Sequence, residues 1–122
     1  MNDKHRFYGK TKLFSDDELR MFFNSEPFKY IDIVLLFGSR ATGEFHQRSD
    51  YDFAVLVEDD QEDDGWGVLS KVWLDIASVL KLDEVDYDVV DLSSMTPQMK
   101  DSIKKGYKII KGNSDDISRI LK

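Results

Sequence analysis

The sequence predicts a single α/β (α+β) domain of residues 1–122, built on a sheet with helices against it. Three observations carry that expectation. Short β-branched apolar runs alternate with amphipathic stretches of helical period, in the order α-β-β-α-β-α-β-α. A chain of 122 residues, 41% of them hydrophobic, is long enough for one core and too apolar for compositional disorder. No internal repeat, low-complexity segment or linker divides it.

Each element has its own local signal. Ser15 and Glu18 have the spacing of a capping box, and Phe14 with Leu19 suits a hydrophobic staple. The helix they open is expected to run to about Asn24, burying Leu19, Phe22 and Phe23, with Pro27 closing it off. Ile31 to Phe37 is an unbroken apolar run rich in β-branched residues, so it reads as a buried strand, and Phe53 to Val57 as a second. In the run Glu58 to Asp64 only Gln61 is not acidic, which suits a solvated loop. From Trp66 to Lys81, Leu69, Val72, Trp73, Ile76 and Leu80 recur at helical steps and form one apolar stripe. Trp66 and Trp73 are most simply core residues. A third strand is expected at Val85 to Leu92. Thr96 then suits an N-cap before Pro97, and Lys104-Lys105-Gly106 suits that helix's end. Tyr107 to Ile110 reads as a short edge strand, and Ser114 as the cap of a last helix carrying Ile117, Ile120 and Leu121.

Charge and composition narrow the function. Lys and Arg number 17 against 24 Asp and Glu, a net charge of −7, and a surface of that sign repels phosphate backbones. Direct nucleic-acid binding is therefore disfavoured. There is no cysteine, hence no disulfide scaffold or thiolate zinc site, and a cytoplasmic location is expected. The apolar runs are too short to span a bilayer, and the first ten residues lack the apolar centre of a signal peptide. Gly9-Lys10-Thr11 resembles the end of a P-loop, but Lys4 stands where its first glycine belongs. His5 and His46 have no further soft ligand to make a zinc cluster, and Ser39 is not inside Gly-x-Ser-x-Gly.

The chemistry concentrates between residues 38 and 52. A glycine directly after a buried strand allows a tight turn and close approach of the backbone to a ligand, and Ser39 can begin a short helix that offers N–H groups to phosphate oxygens. Twelve residues on, Asp50 and Asp52 flank Tyr51 at the start of the next strand. Alternation puts both carboxylates on one face, roughly 6–7 Å apart at Cβ. Bare, they repel by about 2–3 kcal/mol at an effective dielectric near 20, so they must face water or share a cation. Oxygen donors alone favour Mg²⁺ or Mn²⁺. The third strand carries Asp86 and Asp88 on one face and Asp91 on the other, so a third acid is available if that strand lies beside the second. Three acids with divalent metals suit phosphoryl transfer.

Gly38-Ser39, ten residues, then Asp50-Tyr51-Asp52 resembles the GSx10DxD signature of minimal nucleotidyltransferases in the DNA polymerase β superfamily. Gly38-Ser39-Arg40-Ala41-Thr42-Gly43 is similar to the extended form common in the antitoxin branch of that family, and the resemblance covers nearly the whole chain. It implies a nucleotidyltransferase fold, a mixed sheet flanked by helices, with Asp50 and Asp52 on Mg²⁺ and Gly38 and Ser39 on the nucleotide phosphates. Either Asp86 or Asp88 qualifies as the family's third acid. Asp88 is preferred, because Asp88-Val89-Val90-Asp91-Leu92 looks more like the family's usual run, and it is counted with Asp50 and Asp52 as catalytic and metal-binding. Arg40 and Arg48 are either phosphate or partner contacts or ordinary surface arginines; Arg40, beside the turn, is counted with the nucleotide-binding residues.

The resemblance also implies the acceptor. Larger members add domains that hold nucleic-acid ends or antibiotics, whereas a chain of this size leaves the acceptor to be presented by a separate protein. In the antitoxin branch that protein is a HEPN-domain ribonuclease toxin, and one of its tyrosines receives AMP from ATP. The leading expectation is therefore an antitoxin that adenylylates its toxin with two Mg²⁺ ions. The alternatives are transfer to a small hydroxyl compound such as an aminoglycoside, and neutralisation by contact alone.

Overall fold

The structure is a computed structural model that describes residues 14–43, 50–57, 66–82 and 87–122; within these, the side chains of Ser39, Thr42, Trp66 and Val68 are not described. His5, Gly9-Lys10-Thr11, His46, Arg48, the acidic run 58–64, residues 84–86 and with them Asp86 lie outside the described residues.

The first helix, α1 (Asp16–Phe23), begins as its capping residues dictate. The Glu18 N–H donates to Ser15 Oγ at 3.1 Å, and the Ser15 N–H donates to Glu18 Oε1 at 2.9 Å. Leu19 and Phe23 are fully buried, and Phe22 packs at the edge of the same cluster. Phe14 sets its ring edge-on to Phe22 and tilted against Tyr51. Pro27 sits in a 3₁₀ turn, Glu26–Phe28, that leads into β1 (Ile31–Phe37). The helix α2 (Ser39–Thr42) follows at once, then β2 (Tyr51–Val57), α3 (Trp66–Leu80), β3 (Tyr87–Asp91), α4 (Pro97–Lys104), β4 (Tyr107–Lys111) and α5 (Ser114–Ile120). Among the described residues, no helix is long and apolar enough to cross a membrane.

The four strands form one mixed sheet in the order β3-β2-β1-β4. β1 pairs antiparallel with both β2 and β4, and β2 pairs parallel with β3, with α3 as the crossover between those two. Both faces are covered, which is why β1 reads as a continuous apolar run and not an alternating one. On one face Val34, Leu36, Phe53, Val55 and Val89 meet Leu19 and Phe23 of α1 and Val72, Ile76 and Leu80 of α3. On the other, Ile33, Leu35, Phe37 and Ala54 meet Ile103 of α4, Ile117 of α5 and Leu121 at the end of α5. A bulge between Ile31 and Ile33 leaves Asp32 exposed and keeps both faces in phase.

Five boundaries differ from the sequence expectation: β2 begins at Tyr51 and not Phe53, β3 ends at Asp91 and not Leu92, and three others have a local cause. α3 stops at Leu80 because Lys81 turns into the left-handed region, at φ 59°, and ends the helix there. The edge strand β4 runs one residue further, to Lys111, whose ammonium donates to the Phe28 carbonyl at 2.9 Å. The cap of α5 is Asn113, not Ser114: its Oδ1 accepts from the Asp115 N–H at 2.7 Å and the Asp116 N–H at 3.3 Å. Thr96 caps α4 as expected, accepting from the Met99 N–H at 3.1 Å.

The cap assignment is testable by chemical denaturation. Asn113→Ala should cost about 1 kcal/mol, whereas Ser114→Ala should stay within about 0.5 kcal/mol of the parent. The reverse order would return the cap to Ser114.

Candidate active site

The site is built where β1 ends. Phe37 is the last residue of β1 and is the register partner of Asp52 on β2. Gly38 then takes φ +77°, a conformation that L side chains rarely adopt, and turns the chain into α2. A Cβ at this position would fall on Asp52 Oδ2 and lie 3.2 Å from its Cγ. Glycine is therefore needed twice here, once for the turn and once because the Asp52 carboxylate lies against the backbone. The Gly38 carbonyl accepts from the Ala41 N–H at 3.0 Å and closes the first turn of α2.

Asp52 also faces a neighbour on its other side. It is in register with Asp88 across the parallel β2–β3 pair, as Tyr51 is with Tyr87. Residues in register on neighbouring strands share a face at a Cα separation of about 4.8 Å. Tyr51 and Tyr87 are buried in the core under α1 and α3, so Asp52 and Asp88 stand on the opposite face. Asp52 is half-buried, while Asp88 and Asp50 are exposed. Burial, first, and then the charges of Asp88 and Asp50 push the Asp52 carboxyl up to about 6. The Val89 N–H donates to Asp88 Oδ1 at 3.0 Å. Asp91 is spent in the turn after β3, where its Oδ1 accepts from the Ser93 N–H at 2.9 Å and Ser93 Oγ at 2.7 Å.

The donor set fits a divalent cation of the Mg²⁺ kind. It is all oxygen, and Asp52 carries the electrostatic penalty that such an ion would relieve. Among the described residues, no three His, Cys, Asp or Glu side chains lie close enough together to hold a metal ion by themselves. Mg²⁺ commonly binds through one or two carboxylates together with substrate phosphates and water, so an open edge of this kind is compatible with it.

Arg40 is placed differently from a surface arginine. It is only 5% exposed, and its guanidinium carbon sits 4.4 Å from the centroid of the Tyr51 ring, on the sheet face away from Asp52 and Asp88. Alternation along Asp50-Tyr51-Asp52 foretells the direction of Tyr51, but nothing in the sequence announces its stacking partner.

A glycine turn thus lies against Asp52 at the end of β1, with Asp88 in register on the adjacent strand of a mixed sheet. The chain belongs to the family described as polymerase beta, nucleotidyltransferase, whose model matches residues 17–116. Among solved structures it is similar to a toxin–antitoxin complex with AMP-PNP, at 25% identity and TM-score 0.61, over 88% of this chain and 82% of that one. It is similar in fold to a mutant MntA–HpeT toxin–antitoxin complex, at 24% identity and TM-score 0.64, over 89% and 81% of the two chains. A tri-AMPylated Shewanella oneidensis HEPN toxin in complex with MNT antitoxin shares the fold at 22% identity and TM-score 0.59, over 88% and 81%. A comparison with curated protein sequences finds no match.

The strained carboxylate gives a pH signature. Asp52 takes up its proton near pH 6 in the folded chain and near the ordinary carboxylate value of about 3.9 when unfolded. The folded state therefore holds more protons between those values, and ionisation of Asp52 lowers stability as pH rises through 6. In metal-free buffer, Asp52→Asn should melt a few degrees above the parent at pH 7.5 and lose that advantage near pH 4. A variant less stable than the parent at pH 7.5 would contradict the crowding of charge at Asp52.

Proposed function

We propose that this chain is a single minimal nucleotidyltransferase domain that transfers AMP from ATP to a tyrosine hydroxyl of a HEPN-domain toxin, and so acts as an antitoxin. The observation that carries it is the position of Asp52, flanked on one side by the Gly38 backbone and on the other by Asp88 in register. The similar solved complexes, one with AMP-PNP and one with an AMPylated HEPN toxin, supply the nucleotide and the kind of acceptor.

Asp50, Asp52 and Asp88 are the residues that would hold Mg²⁺. The ions, when bound, lower the charge on the triphosphate and on the attacking oxygen. The remaining work falls to the chain itself. Gly38, with no Cβ, lets the turn backbone approach the phosphates, and Ser39 opens α2, whose first N–H groups would be offered to phosphate oxygens. An acceptor hydroxyl would arrive on the sheet face where Asp52 and Asp88 stand. That hydroxyl attacks the α-phosphorus; a tyrosyl O–P bond forms, the bond to the bridging oxygen of pyrophosphate breaks, and pyrophosphate leaves. Asp88, the exposed member of the pair, receives the tyrosine proton. The net charge of −7 suits an acceptor delivered by a protein and not by a polyanion.

Co-expression with the toxin tests this in one experiment. Intact-mass measurement of the recovered toxin should show the added mass of one or more AMP residues, lost on phosphodiesterase treatment. Asp52→Asn should slow the transfer by about 100-fold or more and restore toxicity. A toxin that stays unmodified beside the parent chain, or is neutralised equally well by the variant, would leave contact alone as the mechanism.

A further inference from the structure

Building on the nucleotide site proposed above, we infer that Arg40 is a positioning residue that acts through Tyr51, clamping the Gly38–Ser39 turn onto the start of β2 from the face opposite the acids. The two segments that must stay in register for such a site, residues 38–42 and 50–52, are separated in sequence. The Gly38–Asp52 approach joins them on one side of the sheet, and the Arg40–Tyr51 stack joins them on the other.

The geometry supports a clamp. Tyr51 is 1% exposed and is held on several sides. Its ring runs parallel to that of Phe53, with centroids 5.9 Å apart, and Phe14 leans on it at 6.0 Å. Its hydroxyl accepts from the Phe14 N–H at 2.9 Å, which ties the segment leading into α1 to the same point. The Arg40 guanidinium then covers the ring at 4.4 Å, inside the range where a cation is drawn to an aromatic face. A planar guanidinium can lie flat on a ring where an ammonium cannot, so arginine suits the place better than lysine. Arg40 lies two residues after Gly38, and Tyr51 lies between Asp50 and Asp52. A shift of either partner therefore moves one half of the site against the other. The burial of Arg40 and its placement away from Asp52 and Asp88 favour this role over a direct contact with phosphate.

A double-mutant cycle decides it, using Arg40→Met, Tyr51→Leu and the pair in the full chain. Amide hydrogen exchange without nucleotide is the first measurement. Each single variant should speed exchange in both segments, 38–42 and 50–53, by about tenfold, with no further gain in the double variant. Tyr51→Phe keeps the ring and should exchange like the parent in segment 38–42. The second measurement is calorimetric binding of α,β-methylene-ATP with Mg²⁺. Each single variant should weaken binding by about tenfold, and the double variant by no more than that. Loosening confined to the mutated segment, or by Tyr51→Phe as much as by Tyr51→Leu, would overturn the clamp. So would losses of affinity that multiply in the double variant, since those would put Arg40 on the nucleotide itself. If the parent chain bound no nucleotide, the proposed function would fail, and the exchange data would still decide the clamp.

Discussion

The contact on which the rest depends is the one between the Gly38 backbone and the Asp52 carboxylate. It exists because β1 and β2 are antiparallel neighbours, so the last residue of one strand faces the acid near the start of the other. It can be that close only because position 38 has no Cβ and accepts a positive φ. The carboxylate is then half-buried between a peptide turn and a second acid on β3, and its proton affinity is raised first by burial and then by the neighbouring charges of Asp88 and Asp50. Crowded negative charge of this sort is costly without a cation, which is why it appears at sites that handle metal-bound phosphates.

The sheet separates chemistry from support. One face of the β2 start carries Asp52, and the other carries Tyr51 in a core of aromatic rings under Arg40. Strand alternation makes that separation automatic: moving one residue along the chain crosses the sheet. The half-buried state of Asp52 and the exposure of Asp50 and Asp88 leave the acidic edge open to an incoming ligand. The core beneath α4 and α5 meanwhile anchors β1 and β4, so the end of β1 is presented by strands that are packed on both faces.

Most of this was legible in the residues. The capping box of α1, the Thr96 cap of α4 and the apolar stripe of α3 are local signals, and each produced the element it announced. A third acid is available only on condition that the third strand lies beside the second; the sheet order meets that condition and brings Asp88 next to Asp52. The departures share a physical cause. Whether Asn113 or Ser114 caps α5, and whether α3 ends at Leu80 or Lys81, depends on one backbone dihedral that either neighbouring residue can adopt. The burial of Arg40 is a tertiary event, because the ring that receives it comes from another strand, and a charged residue in a turn carries no mark of it. Asp88 is in register with Asp52, and Asp86, the other candidate for the third acid, lies outside the described residues.

The central claim, that Asp50, Asp52 and Asp88 together with the Gly38 turn form one site for a divalent cation and a nucleotide, is tested most directly by Mn²⁺ titration followed through amide resonances. With a non-cleavable ATP analogue present, the amides of Gly38, Asp52 and Asp88 should broaden first and together at substoichiometric Mn²⁺, and Mg²⁺ should reverse the effect. Broadening that spares these three amides, or that begins elsewhere on the acidic surface, would contradict the account.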